Sequence, residues 1–160
     1  MNRRYLKRAA KLALRSGCLR AKRGAVIVKD NKILVEACNT PFPSNDFCQK
    51  HGCLRDRLKL GLGRELEKTR AIHAEAKAIS LAALRGVSLE GATIYITCMP
   101  CINCAKLILT AGIKKVYYLD LYSDRTGERL LKKMGVGCER VKLEGDRPEK
   151  RLRDTRGQNE

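Results

Sequence analysis

The chain has 160 residues, enough for one domain with a proper core, and carries a net charge of +17. No apolar run approaches the length of a membrane span, and the basic, interrupted start MNRRYLKRAAKLALRS lacks a signal-peptide pattern, so a soluble cytoplasmic protein is expected. Residues 1–32 hold eleven Lys and Arg against Asp30, a net +10; such an excess attracts phosphate on a nucleotide or a nucleic acid, although a solvated helix face is the plainer reading.

Residues 3–16 read as an amphipathic helix, with Leu6, Ala9, Ala10 and Ala13 on one stripe and Arg4, Arg8, Lys11 and Arg15 on another, ended by Gly17. A basic loop, SGCLRAKRG, follows; Arg20, Lys22 or Arg23 in it either reaches a substrate phosphate or is merely exposed. GAVIVK (24–29) and KILVEA (32–37) read as strands joined at Asp30-Asn31 into a hairpin. Residues 38–70 form an insert that begins as a Pro/Asn/Ser loop, with a short helix over 54–60. Cys48, His51 and Cys53 fall within six residues of it. With Cys38 they make a candidate second, structural zinc site; free thiols or a Cys48–Cys53 disulfide are the alternatives.

A helix is expected over 72–85, a strand over 93–97, a second helix over 101–111 capped by Gly112, a strand over 114–119, a helix over 124–134 and a last strand over 138–143. From Glu144 on, five acids and five bases with almost no apolar residues suggest a mobile tail, so the domain is expected to span 1–143 with 144–160 outside it. Strands alternating with helices after an initial hairpin imply an α/β fold, a mixed sheet with helices on both faces.

The chemistry concentrates in AIHAEAKAISL (71–81) and MPCINCA (99–105). His73, Cys101 and Cys104 offer one imidazole and two thiolates, good zinc ligands, and three protein ligands leave the open position of a catalytic site. Pro100 suits the first turn of a helix, and Cys101 and Cys104, three apart, then share one of its faces. Glu75 can move protons to and from water at the open position without being a ligand. A lone His or a lone CxxC would more readily be a buried histidine, inert thiols or a closed zinc site; H-x-E together with P-C-x-x-C favours catalysis. The other cysteines, without a secretory signal, suggest metal or reduced thiols before disulfides, and Cys98 reads as a spectator.

These motifs, with SGCLRAKRGAVIVKDNKIL, the NTP after Cys38, CQKHGCLRDRL and TIYIT–MPCINCAKLILTAGIKKVYYL, resemble the deoxycytidylate deaminase branch of the cytidine deaminase superfamily over roughly residues 16–135. The resemblance implies a three-layer α/β/α fold with a mixed, about five-stranded sheet. It also implies zinc-dependent deamination of dCMP to dUMP, with Glu75 as proton shuttle and a homo-oligomeric assembly. Asn39 would hold the sugar, with Ala74 and Arg23 also at the substrate. ACNT (37–40) replaces the family's usual GYNG-type sequence. The long stretch between Asn39 and His73 separates the chain from the tRNA adenosine deaminases, where that connection is shorter. Many relatives bind a second zinc through the insert and a His and Cys just before the HAE motif. The matching positions are Leu66 and Thr69, so a second ion would need His51 or Cys38. A deaminase acting on tRNA, single-stranded nucleic acid, CMP or cytidine is the alternative, and a non-catalytic zinc module is less favoured because it would not need Glu75.

Overall fold

The computed structural model describes residues 3–61 and 65–143; the expected tail, 144–160, lies outside them. The first helix, α1 (Arg3–Ala13), buries Tyr5, Leu6, Ala9, Leu12 and Ala13. It stops three residues before the expected Ser16. Leu14, Arg15 and Ser16 make tighter bonds back to Lys11, Leu12 and Ala13 instead. Strands β1 (Gly24–Lys29) and β2 (Lys32–Cys38) form the expected hairpin. Asp30 and Asn31 both adopt positive φ, 48° and 59°, which matches the right-handed twist of the two strands.

The insert has more structure than its composition suggests. The two-residue strands β3 (Thr40–Pro41) and β4 (Ala71–Ile72) pair and close its ends. Between them lie α2 (Phe47–His51) and α3 (Leu54–Arg57). The latter is shorter than the expected 54–60 because Lys59 turns left-handed at φ 52°. Leu60 N–H then reaches the Arg55 carbonyl and Lys59 N–H that of Asp56, the bonding of a Schellman stop.

After the insert come α4 (Ala74–Leu84), β5 (Thr93–Cys98), α5 (Ile102–Thr110), β6 (Lys115–Asp120), α6 (Thr126–Lys133) and β7 (Gly137–Arg140). Gly112, at φ 74°, caps α5 as expected, letting Ile113 N–H bond the Ile108 carbonyl. The last strand ends at Arg140 rather than Leu143.

The main sheet runs β2-β1-β5-β6-β7. β1 is antiparallel to β2 and β5, while β5, β6 and β7 are parallel, linked by α5 and α6. Alternating side chains feed two cores. Ala25, Ile27, Ile94, Ile96, Val116 and Tyr118 face Ala74, Ala78 and Ala82 of α4, Ala105 and Ile108 of α5 and Leu131 of α6. Val26, Val28, Tyr95 and Tyr117 face α1. The result is the expected three-layer α/β/α arrangement. No helix among the described residues is long and apolar enough to cross a membrane.

Candidate metal centre and active site

Each of α4 and α5 brings its first turn to the same point. His73 and Cys101 are their N-cap residues: α4 starts at Ala74, two residues after the expected 72, and α5 at Ile102, one after the expected 101. Pro100 therefore precedes the cap instead of starting the helix. The side chains of His73 and Cys101 do not cap their own helices, so both remain available to a ligand. His73 Nδ1 lies 3.5 Å from Cys101 Sγ and 3.4 Å from Cys104 Sγ. All three ligand atoms fall within 4.8 Å of one another, and among the described residues this is the one His/Cys/Asp/Glu group that converges so. That separation suits a shared tetrahedral ion with bonds of about 2.0–2.3 Å.

The protonation of the group fits cation binding. Hydrogen bonding from Cys104 and then from His73 pulls the Cys101 thiol down to about 4. The bond to Cys101 raises His73, and Cys104 is raised by its bond to Cys101 and by burial. A thiol lowered in this way favours its thiolate form, which suits a cation, and two positive helix ends face it. Glu75, the second residue of α4, is buried at 7% exposure, and that burial raises its carboxyl above the usual carboxylate range.

A cavity of about 170 Å³ opens beside these groups, where β5 and β6 end and β1 begins. His73, Ala74, Glu75, Cys101, Asn39 and Arg23 all line it. Asn39 is occupied at both ends of its amide: Oδ1 accepts from Arg23 N–H at 2.8 Å, and Nδ2 donates to the Ala21 carbonyl at 2.8 Å. One N–H and one lone pair remain for a ligand. Arg23 donates to Asp120 at 2.7 Å, so its charge is already paired. Arg20 bonds the Leu60 carbonyl and lies 3.3 Å from Asp56, whereas Lys22 reaches back to Leu14 and does not line the cavity.

Sequence reasoning missed Arg55, Arg70 and Tyr122, which also line the cavity. Tyr122 follows the C-terminal end of a parallel strand, the usual place for ligand-facing residues, and burial pushes its phenol up to about 12. Cys98 also lines the cavity; burial lifts its thiol to about 12, and Sγ donates to the Leu121 carbonyl at 3.6 Å. Cys38, Cys48, His51 and Cys53 do not converge as a second metal group, and all eight cysteines are free thiols. The His51 ring lies on Phe47, 4.3 Å between centroids.

Residues 1–120 match the family model for the cytidine and deoxycytidylate deaminase zinc-binding region. ComE operon protein 2 of Bacillus subtilis is 36% identical over 144 residues, covering 89% of this chain and 72% of that protein. The deoxycytidylate deaminase of Schizosaccharomyces pombe is 31% identical over 82% of this chain, which spans only 41% of that longer protein. In three dimensions the chain resembles the dCMP deaminase of cyanophage S-TIM5, solved in complex with dCMP and dUMP. The TM-score is 0.69 at 32% identity, covering 86% of this chain and 94% of that one.

Proposed function

The chain belongs to the cytidine and deoxycytidylate deaminase family, and on that footing we propose that it hydrolyses dCMP to dUMP and ammonia. The observation that carries this reading is the meeting of His73 Nδ1 with the Cys101 and Cys104 sulfurs at the wall of a cavity that Glu75 also lines. Similarity to a phage enzyme solved with dCMP and dUMP supports the choice of nucleotide.

His73, Cys101 and Cys104 would hold Zn²⁺, whose Lewis acidity readies a water for attack near neutral pH. Glu75 accepts the proton that this water loses and passes it to ring N3 of the cytosine. C4 becomes electrophilic and is attacked by the hydroxyl; the Glu75 carboxylate then takes the remaining hydroxyl proton from the adduct and delivers it to the amino group, which leaves as ammonia while the C4 carbonyl forms. A carboxyl raised by burial suits a group that must hold a proton between those steps. Backbone N–H groups at the start of α4 and α5 support developing negative charge. Asn39, with one donor and one acceptor left, is assigned to the sugar, and Ala74 to the wall beside the base.

A polymer substrate is the second reading, motivated by the basic N-terminal segment. The α1 helix, however, packs on the sheet face away from α4 and α5, and none of its residues lines the cavity. The deciding assay compares dCMP, CMP, cytidine, tRNA and single-stranded DNA across salt. Turnover of dCMP that is insensitive to salt supports the nucleotide reading. Polymer turnover that falls steeply with salt would replace it. We expect a cytoplasmic homo-oligomer; apolar Leu84 on α4 and Leu107 on α5 are exposed and available to a second copy.

A further inference from the structure

We infer that Gly127 is a positioning residue for the metal ligand Cys101, acting through direct backbone contact; the inference rests on the metal-site reading above. Gly127 lies in the first turn of α6 and is buried. A Cβ built there would stand 2.3 Å from the Pro100 carbonyl oxygen, 2.8 Å from the Cys101 carbonyl carbon and 2.9 Å from its oxygen. The backbone conformation does not explain a glycine at this point. Its φ is not positive, so an alanine would fit the backbone conformation, and glycine is a poor helix former. Close approach is what remains: α6 rests edge-on against the peptide that carries Cys101.

That peptide is not free to give way. The Cys101 carbonyl accepts the first hydrogen bond of α5, from Ala105 N–H at 2.9 Å, and Met99 N–H is held by the Asp120 carbonyl at 2.9 Å. The α6 side is fixed as well. Glu128, next in sequence and 3% exposed, accepts from the Tyr118 hydroxyl at 3.1 Å and from Arg125 at 2.7 Å, and pairs with Lys132 at 2.8 Å. Leu131, one turn on, is fully buried in the main core. The glycine is therefore pinched between two held elements, and a side chain there must move one of them. Opening 2.3 Å to the 3.4 Å of ordinary contact displaces the Cys101 peptide or α6 by more than metal–ligand distances tolerate, about 0.2 Å. Through this contact the β6–α6 unit, which contributes no ligand itself, sets where Cys101 Sγ sits relative to His73 and Cys104.

The test uses full-length protein loaded with Zn²⁺ or Co²⁺, comparing Gly127→Ala with Leu131→Val. The second change loosens the same helix from within the main core and leaves the glycine in place. Zinc release to a chelating dye and the cobalt–thiolate absorption bands are measured at matched loss of thermal stability. Gly127→Ala is expected to release zinc about 10- to 100-fold faster, with shifted cobalt bands, as for other residues that orient metal ligands; Leu131→Val should leave both near wild type. Equal release and unshifted bands in the two variants would overturn the inference. If Gly127→Ala does not fold, Glu128→Gln takes its place. Faster release with shifted bands supports the positioning chain, and wild-type behaviour rejects it. Wild-type protein that binds neither metal at one per chain would instead remove the metal-site reading itself.

Discussion

Arg23 Nη1 donates to Asp120 Oδ2 at 2.7 Å, joining the residue before β1, which lines the cavity, to the last residue of β6. The loop sequence leaves Arg23 either reaching a substrate phosphate or merely exposed, whereas the fold gives it a carboxylate first. Burial alone would lower its pKa, but the hydrogen bond and charge of Asp120 offset this and keep it charged. Removing the partner charge should therefore release attraction for the nucleotide. Asp120→Asn is expected to tighten dUMP binding about fivefold, from the roughly 1 kcal/mol that one unit charge at about 4 Å is worth in a water-like dielectric, and to leave deoxyuridine unchanged. Calorimetry on both ligands checks it; an unchanged ratio means that Arg23 does not face the phosphate.

Glu75 is the proton carrier in the proposed chemistry and makes no claim on the metal. Glu75→Gln keeps the shape of the side chain at a buried position. It should retain zinc and lose about 10²- to 10⁴-fold in kcat, the range for a lost general acid–base. Metal content and steady-state turnover are measured on the same sample. Normal deamination by this variant would sink the role.

The four residues at the centre were legible because chemistry and spacing identify them together. H-x-E and C-x-x-C fix what each side chain is, and the fold only has to bring two helix starts together. β1, β5 and β6 were legible as apolar runs between turn residues. What was not legible is defined by distant contacts. The β3–β4 pair is two residues a side, too short for any period, and exists because Thr40 meets Ile72 across the insert. The end of α3 was misplaced because Lys59 occupies the left-handed position that a glycine would have flagged. Nothing in the sequence around Arg55 marks it as buried; only the folded insert shows it so. Gly127 carries no local signal at all, since the atoms that require it belong to residues 100 and 101.

Metal stoichiometry separates the two cysteine groups. His73→Ala, Cys101→Ser and Cys104→Ser should each lose the bound ion and all measurable activity. Cys48→Ser and Cys53→Ser should keep one zinc per chain, because their sulfurs do not converge with a third ligand. Elemental analysis after dialysis against a weak chelator gives the count. Two ions per wild-type chain, falling to one in Cys48→Ser, would show that the insert is a metal site after all.

Glu128 makes acid stability a test of how α6 is held. Burial would raise its carboxyl, but Lys132, Arg125 and Tyr118 outweigh that and hold it at about 2, against an ordinary 4.5. A carboxyl lowered in the folded state stabilises fully above its unfolded pKa and loses that contribution as pH falls toward the folded one. The wild-type advantage over Glu128→Gln should thus be about 2 kcal/mol at pH 7, where a buried carboxylate would lose its paired charges. It should shrink between pH 4.5 and about 2. Urea unfolding of both proteins at several pH values measures it, and a difference that stays constant through that window would show that the ion pairs contribute nothing.

Arg55 ties the insert into the cavity wall. Its guanidinium donates to the Glu65 carbonyl at 2.8 Å, the Gly61 carbonyl at 2.6 Å and Thr69 Oγ1 at 3.2 Å, from a position 8% exposed. Three acceptors from one loop share one cation, so removing it strands them together rather than one by one. Arg55→Met preserves much of the side-chain volume and removes the fan of donors. Because the insert lies outside the main core, global unfolding should shift little, by about 1 kcal/mol. Local opening should rise instead, seen as protease cleavage within 54–70 about tenfold faster and a raised KM with kcat nearly unchanged. Cleavage at the wild-type rate would mean that the β3–β4 closure alone holds the insert in place.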